Sequence, residues 1–208
     1  MGAVAEELGL RERKKRQTRE AIAAAAFALF RERGFDGVSV ADIAAAAEVS
    51  KPTLFAYFPT KEDLVLHRFV DGSDGPALVV RERPAGTSAL HALRTYFLDL
   101  LARRDLLSGL NDTPTGVTFH ALLYTTPSLL PRLTSYLIDR ERKLAEELLA
   151  TGEQPDEFTA RLVAAQVFGA QRILAEYNAA EIRAGRGADE VYPAAVARAE
   201  TAFDMLEP

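Results

Sequence analysis

Apolar residues near the N-terminus recur at the spacing of an α-helix. Ile22, Ala26 and Phe30 lie at positions i, i+4 and i+8, which places them on one face of a helix. This helix is predicted over residues 17–33, and Gly34 follows it as a residue that favours the left-handed end of a helix. The pattern predicts an amphipathic first helix that packs its apolar face against another element.

Two shorter apolar patterns follow, and they predict two short helices joined by a tight turn. Ser39 can cap the start of the second helix, and Ser50 can cap a third helix predicted over residues 51–58. Helices shorter than about 12 residues are marginal alone, so we expect this pair to pack on the first helix as a helix-turn-helix. In that motif the start of the last helix enters the major groove of DNA.

Longer helical patterns cover the rest of the chain, and stretches rich in Gly and Pro separate them. A fourth helix is predicted from Thr60 to about Gly72, and residues 72–87 are predicted as a loop or a frayed helix end. Further helices are predicted over residues 88–104, 115–124, 131–150, 156–184 and 189–206. The short run 77–80 is the single strand candidate, so the predicted fold class is all-α.

Charge is distributed unevenly along the chain. The net charge is −5, but residues 1–61 hold ten basic and eight acidic side chains, with six of the basic ones in 11–19. An acidic chain can bind DNA when its basic groups share one face. We therefore predict a flexible basic arm over 1–16, a DNA-binding domain over 17–72 and a further helical domain over 73–208. The basic cluster also fits a solvated helix start.

Several function classes lack their signatures. The chain has no cysteine, its three histidines show no metal-ligand spacing, and no phosphate loop or nucleophile elbow occurs. The longest apolar run is too short to span a bilayer. We expect a cytoplasmic protein without enzyme activity, cofactor, metal or membrane partner. A helical small-molecule carrier without DNA binding is an alternative, and so is a transcriptional activator.

One stretch resembles the DNA-binding domain of the TetR (tetracycline repressor-like) family along its whole length. It reads TREAIAAAAFALFRERGFDGVSVADIAAAAEVSKPTLFAYFPTKEDL. The family pattern is matched at Ile22, Ala26, Phe30, Gly34, Val40, Ile43, Ala44, Val49, Ser50, Leu54, Phe58, Lys61 and Leu64. The resemblance implies a transcriptional regulator, most often a repressor, which binds a palindromic operator in double-stranded DNA as a homodimer and is released by a small-molecule effector.

The resemblance also implies which residues contact DNA. They are Thr18, Arg19, Ser39, Ser50, Lys51, Pro52, Thr53, Tyr57 and Lys61. Lys51, Pro52 and Thr53 occupy the base-reading start of the recognition helix, whereas Lys61 is implied to contact phosphate. Alternatives stay open for several of them: the two serines as helix caps alone, Tyr57 as a packing residue, and the lysines as surface residues without a contact.

Two positions depart from the family pattern. Phe55 stands where the family often has tyrosine, which removes one phosphate hydrogen bond. Glu48 stands where the turn often has glycine. If the backbone of Glu48 is left-handed, the strain is expected to be about 1 kcal/mol.

A dimer is expected because one short recognition helix reads too few base pairs. A two-fold pair would read half-sites about 34–36 Å apart, or a multiple of that distance. The last two helices are predicted as the interface, which the resemblance also implies. The candidate interface residues are Phe158, Leu162, Ala165, Gly169, Ile173, Tyr177, Tyr192, Val196 and Phe203. Part of each face must also serve the core of its own subunit.

An effector cavity is expected between helices of the C-terminal domain. The candidate lining residues are Tyr96, Phe97, Leu100, Phe119, His120, Leu123, Tyr124, Phe168, Gln171 and Arg172. His120 lies in an apolar helix and is either a core residue or a ligand contact. Arg172 is expected to meet an anionic effector or to form a salt bridge at the interface.

Overall fold

The structure is a computed structural model that describes residues 2–71 and 75–207, with side chains over 13–67 and 75–207. Its α-helices are α1 (Gly2–Arg33), α2 (Val40–Ala46), α3 (Lys51–Tyr57), α4 (Lys61–Asp71), α5 (Gly75–Glu82), α6 (Ala89–Ala102), α7 (Pro114–Thr125), α8 (Leu129–Ala150), α9 (Glu157–Arg183) and α10 (Ala188–Asp204). A 3-10 helix spans Leu106–Ser108. The described residues include no strand, so the all-α prediction is confirmed.

Two predicted segments differ in the structure. The first helix begins at Gly2, so residues 2–16 continue α1 and are not the predicted flexible arm. Ala, Glu, Leu, Arg and Lys dominate this segment, and they are strong helix formers. Helix α5 occupies most of the loop predicted over 72–87, whose first residues, 72–74, lie outside the described ones. Pro76 lies in the first turn of α5, where proline is tolerated, so the predicted break and the strand candidate are both wrong.

The chain forms two compact units, Met1–His67 and Arg68–Pro208. The division falls within α4, a few residues before the predicted boundary after residue 72. None of the helices within the described residues combines the length and apolar character that a membrane span requires.

The core of the N-terminal unit follows the predicted apolar pattern. Ile22 and Ala26 of α1, Ile43 of α2 and Leu54 of α3 are fully buried, as is Phe58 directly after α3. Burial of large apolar side chains contributes about 1.5–3 kcal/mol each. The two short helices are therefore stabilised by packing on α1, as a helix-turn-helix requires.

The core of the C-terminal unit includes residues that were predicted to face a partner subunit. Phe203 of α10 is only 1% exposed, and its ring centroid lies 6.3 Å from that of Phe97. Tyr192 and Val196 are half-buried against the same core, and the Arg104 guanidinium lies 4.2 Å from the centroid of the Tyr192 ring. The interface prediction is wrong for Phe203, because α10 turns its apolar face towards α6 and α9 of its own unit. Tyr192 and Val196 keep part of their surface exposed and stay predictions.

The turn between α2 and α3 contains a left-handed residue. Glu48 has φ 54, in the region where a Cβ crowds the neighbouring carbonyl oxygen. Its backbone N–H donates to the Ala45 carbonyl, and the next residue, Val49, donates to the Ala44 carbonyl. The turn thus needs positive φ at a position where this chain has no glycine.

Replacing Glu48 with glycine is expected to raise the free energy of unfolding by about 1 kcal/mol, because glycine adopts positive φ without this crowding. Urea denaturation measures the change. Glu48→Ala is the matched control, because it removes the carboxylate but keeps the Cβ. Equal stabilisation by both variants would assign the effect to charge and contradict the backbone explanation.

Candidate nucleic-acid interface and internal cavity

Helix α3 is anchored at its start by a side-chain cap. Ser50 Oγ accepts a hydrogen bond from the Thr53 backbone N–H at 3.1 Å and lies 2.7 Å from the Thr53 hydroxyl. Leu54 and Phe58 are fully buried beneath the helix. Ser50 thus has a structural role as the cap, and the Thr53 hydroxyl already has one hydrogen-bond partner in the protein.

Arg19 of α1 holds the opposite end of α3. Its Nη1 donates to the backbone carbonyl of Tyr57 at 3.0 Å, and its guanidinium lies 4.6 Å from the centroid of the Phe58 ring. The carbonyl end of a helix carries partial negative charge, which favours a cation there. Sequence reasoning expected this arginine at the DNA backbone, whereas the structure gives it contacts that position the recognition helix.

Lys61, at the start of α4, is similarly engaged within the protein. Its Nζ donates to the carbonyl oxygens of Phe35 at 2.8 Å and Val38 at 3.1 Å, and it lies 4.1 Å from the centroid of the Phe35 ring. These contacts fix the loop between α1 and α2. Since the ammonium group has three donors, at least two of them point at this loop and not at solvent.

The exposed side of α3 presents a short surface to solvent. Lys51, Pro52, Phe55 and Ala56 are exposed, and Tyr57 is half-buried at the end of the helix. Phe55 is 46% exposed although its ring is large and apolar. It was absent from the predicted contacts. Its position one residue after the buried Leu54, about 100° further round the helix, was the signal that it faces away from the core.

Thr18 and Ser39, which were predicted near phosphates, both make local hydrogen bonds. The Thr18 hydroxyl donates to the Lys14 carbonyl at 3.0 Å within α1. Ser39 forms a capping box with Asp42: its Oγ accepts from the Asp42 N–H at 3.2 Å, and its own N–H donates to Asp42 Oδ2 at 2.9 Å. The Ser39 hydroxyl also donates to Asp42 Oδ2 at 2.6 Å, and this bond, together with the one from the Ser39 N–H, lowers the pKa of Asp42 below its ordinary value.

An internal cavity of about 250 Å³ lies within the C-terminal unit. All ten residues predicted from the sequence as cavity-lining do line it. The lining also includes eight residues that sequence reasoning missed: Leu106, Leu107, Leu130, Leu133, Leu137, Arg140, Ala175 and Glu176. Most of these lie on α8 and the 3-10 helix, whose apolar patterns alone did not indicate which face meets the cavity.

Buried polar atoms line this cavity. His120 is 3% exposed, and neither of its ring nitrogens has a hydrogen-bond partner within the described part of the chain. Burial lowers the pKa of His120 to about 4, the positive charge of Arg183 acts in the same direction, and the backbone of Leu106 opposes them. The Gln171 side-chain nitrogen is also buried without a partner among the described residues.

The cationic side chains of the cavity have partners within the unit. Arg172 lies 3.5 Å from Glu176 one turn along α9, so this ion pair is within one helix. The guanidinium of Arg140 lies 5.6 Å from the centroid of the Phe168 ring. No three acidic or histidine side chains come together as a metal site among the residues described.

Helix α9 carries an exposed apolar face on the side opposite its buried residues. Phe158 is 77% exposed, Leu162 and Ile173 are each 48% exposed, and Tyr177 is 60% exposed. These residues, with Ala165 and Gly169, are the six predicted interface residues of α9. Helix α8 adds Ile138, which is 60% exposed, and Leu149, which is 42% exposed. The sequence did not single out these α8 residues.

Comparisons with known proteins match the N-terminal unit to one family. The family model described as "Bacterial regulatory proteins, tetR family" matches residues 22–67. The HTH-type transcriptional regulator TcmR of Streptomyces glaucescens is 32% identical over 161 residues, which cover 76% of this chain and 71% of that protein. The relationship therefore extends well beyond the helix-turn-helix.

Solved structures share the whole architecture. GusR of Salmonella enterica has a TM-score of 0.56 at 22% identity, covering 91% of this chain and 93% of that one. FadR of Thermus thermophilus, described as a TetR-family transcriptional repressor in complex with lauroyl-CoA, has a TM-score of 0.50 at 27% identity. The match covers 90% of this chain and 92% of the FadR chain.

The different surroundings of Lys51 and Lys61 lead to opposite expectations for matched variants. Lys61→Met keeps the aliphatic stem but removes the donor to the Val38 carbonyl and the shorter of two hydrogen bonds to the Phe35 carbonyl, which also accepts from the Val38 N–H at 3.4 Å. Unfolding should therefore require about 1–2 kcal/mol less free energy. Lys51→Met should leave stability within about 0.5 kcal/mol, because Lys51 is exposed. If Lys51 neutralises one phosphate, Lys51→Met should reduce the slope of the logarithm of DNA affinity against the logarithm of salt concentration by about 0.9.

Denaturation and DNA titrations at several salt concentrations separate the two roles. A stable Lys61→Met protein with a reduced salt slope would show that Lys61 contacts phosphate and does not hold the loop.

His120 should make stability depend on pH. Its folded pKa lies below that of the unfolded chain, so the unfolded state alone binds a proton as pH falls from 7 to 5. The free energy of unfolding should therefore fall by about 2 kcal/mol between pH 7 and pH 5, and this contribution should be fully present above the pKa of the histidine in the unfolded chain. His120→Gln should remove this part of the pH dependence, whereas His91→Gln, at an exposed position, should retain it. Equal pH dependence in all three proteins would contradict the burial of a neutral His120.

Proposed function

Because this chain belongs to the tetR family of bacterial regulatory proteins, we propose that it is a repressor that binds a palindromic operator as a homodimer and leaves it when a small molecule binds. It is a transcriptional regulator with an N-terminal DNA-binding domain. The observation that carries the proposal is the exposed face of α3. This face combines Lys51 with Phe55 on a helix that is otherwise held rigidly against its unit.

The exposed face of α3 suits the major groove. Lys51 at its start can approach phosphates or guanine, and Phe55 can contact a thymine methyl group. The Thr53 hydroxyl can still accept a hydrogen bond while it is held by Ser50. Arg19 and Lys61 support readout indirectly, because they fix the two elements that flank the helix.

The dimer proposal rests on the apolar face of α8 and α9. Pairing this face with its copy would bury Phe158, Ile173 and Tyr177, which are largely exposed in one chain. A two-fold pair brings the same patch of each subunit together. Gly169 lies on this face, and a Cβ built there meets nothing within 4 Å, which leaves room for a second helix.

Charged residues at the border of this face are paired within their own chain. Arg142 bonds Asp139 at 2.7 Å and also contacts Glu146, and Arg161 lies 3.9 Å from Glu157. Neutralised charges around an apolar centre match the anatomy of protein interfaces, with an apolar core and a polar rim.

The effector proposal rests on the cavity between α6, α7, α8 and α9. Its mostly apolar lining with a few buried polar atoms is typical of small-molecule sites. The complex of the Thermus thermophilus FadR with lauroyl-CoA supports a ligand-responsive role for a regulator with this fold. A ligand that binds more tightly to a DNA-incompetent conformation would lower operator affinity by the ratio of its two affinities.

Selection of bound fragments from a random duplex pool tests the regulator and its symmetry together. We expect two inverted half-sites with centres separated by about 10–10.5 base pairs or a multiple of that spacing. Enrichment of a single asymmetric site would contradict the two-fold arrangement, and no enrichment at low salt would contradict DNA binding.

Replacing Ile173 with glutamate is expected to convert the dimer to monomers, because each subunit would then have to bury a carboxylate among the apolar side chains of the interface. Sedimentation velocity measures the change in mass, and operator affinity should fall in parallel. Met205→Glu is the matched control, because Met205 is 81% exposed outside this face. A wild-type protein that sediments as a monomer, or an Ile173→Glu variant that stays dimeric, would show that the face is not the interface.

A further inference from the structure

The composition of the cavity lining indicates which chemical groups its ligand must offer. Eleven of the eighteen lining residues are Leu, Phe or Ala. The ligand must therefore be largely apolar, because transfer of apolar surface from water is the main favourable contribution in such a site.

His120 requires both a donor and an acceptor from its surroundings. A neutral imidazole has one N–H and one lone pair on its two ring nitrogens. Neither nitrogen has a partner at full hydrogen-bond geometry among the described residues, but the Leu106 backbone acts as a weak acceptor for the ring N–H, so the lone pair is what still lacks a donor. A hydroxyl group is the simplest partner, because it can donate to the lone pair or accept from the N–H.

Gln171 requires an acceptor. Its side-chain nitrogen is buried without a partner within the described part of the chain and lines the same cavity. A buried amide N–H without an acceptor destabilises the site, and a carbonyl or ether oxygen on the ligand would supply the missing acceptor.

Each cation at the site has a contact of its own within the unit. Arg172 is paired with Glu176 at 3.5 Å, and Arg140 lies against the face of Phe168. Arg183 lies over the ring of Tyr124, at 4.5 Å from its centroid. Burial raises the pKa of Tyr96 and of Tyr124, so their hydroxyls stay neutral and add uncharged hydrogen-bonding groups to the lining.

We propose that the effector is an uncharged, largely apolar molecule with a hydroxyl group recognised by His120 and a separate oxygen acceptor recognised by Gln171. This proposal rests on the proposed effector role of the cavity. An acyl thioester offers acceptors only and leaves the lone pair of His120 unpaired. A carboxylate on the ligand would lose its hydration in the cavity, and the neutral ring of His120 would offer it no positive charge in return.

A matched set of bicyclic probes on one skeleton tests the proposal with the full-length protein. The probes are 5-hydroxy-1-tetralone with both groups, 1-tetralone with the carbonyl, 5,6,7,8-tetrahydro-1-naphthol with the hydroxyl, and tetralin with neither. Calorimetry should find the first tightest, each single-group probe about tenfold weaker and tetralin about a hundredfold weaker, as one hydrogen bond each predicts.

Two variants assign each group to its residue. His120→Phe should abolish the advantage of the hydroxyl, and Gln171→Leu should abolish the advantage of the carbonyl. Tetralin should bind both variants about as well as it binds the wild type. Because the wild-type probe series stands alone, a variant that fails to fold leaves the proposal testable.

Two further ligands provide the opposing outcomes. If tetralin-1-carboxylate binds tightest and the NMR spectrum of the complex shows His120 protonated at neutral pH, the claim that the effector is uncharged is overturned. Tightest binding of lauroyl-CoA, unaffected by His120→Phe, would overturn the hydroxyl requirement, and so would no binding of any probe. These measurements contain no DNA, so operator binding can succeed or fail separately from them.

Discussion

The structure depends on the anchoring of one short helix. Seven residues form too little helix to be stable in water, so α3 exists only because other elements hold it. Ser50 caps its start, Leu54 and Phe58 bury its inner side, and Arg19 binds its last carbonyl. Rigidity at this helix is what allows a few exposed side chains to read bases, because loosely held contacts lose specificity to entropy.

The sequence predicted the helices of this unit but not the contacts that its cations make within the protein. Periodicity and caps located α2 and α3 closely, because apolar spacing and Ser caps act over a few residues. Lys61 and Arg19 were expected at phosphates, but their partners are carbonyls 26 and 38 positions away in the chain. Local pattern carries no information on such distant contacts, so only the folded unit could reveal them.

The C-terminal unit shows the same limit on a larger scale. All ten predicted cavity residues line one cavity, since aromatic and polar residues on facing helices are a recognisable combination. The interface prediction was partly wrong, because apolar spacing on α10 cannot distinguish a core face from a partner face. Exposure made the distinction: Phe203 is buried, whereas Phe158 and Ile138 are exposed on α9 and α8. Helix α5 was missed because Gly75 and Pro76 resemble loop residues by composition.

The central claim is that two copies of α3 occupy successive major grooves of one duplex. The chain contains no cysteine, so Ala56→Cys places a single thiol on the exposed face of α3. An iron chelate attached there cleaves the DNA nearest to the helix in the complex. The account predicts two clusters of cleavage, related by the operator's symmetry and separated by about one helical turn or a multiple of it. One cluster alone, or cleavage spread evenly along the duplex, would contradict it.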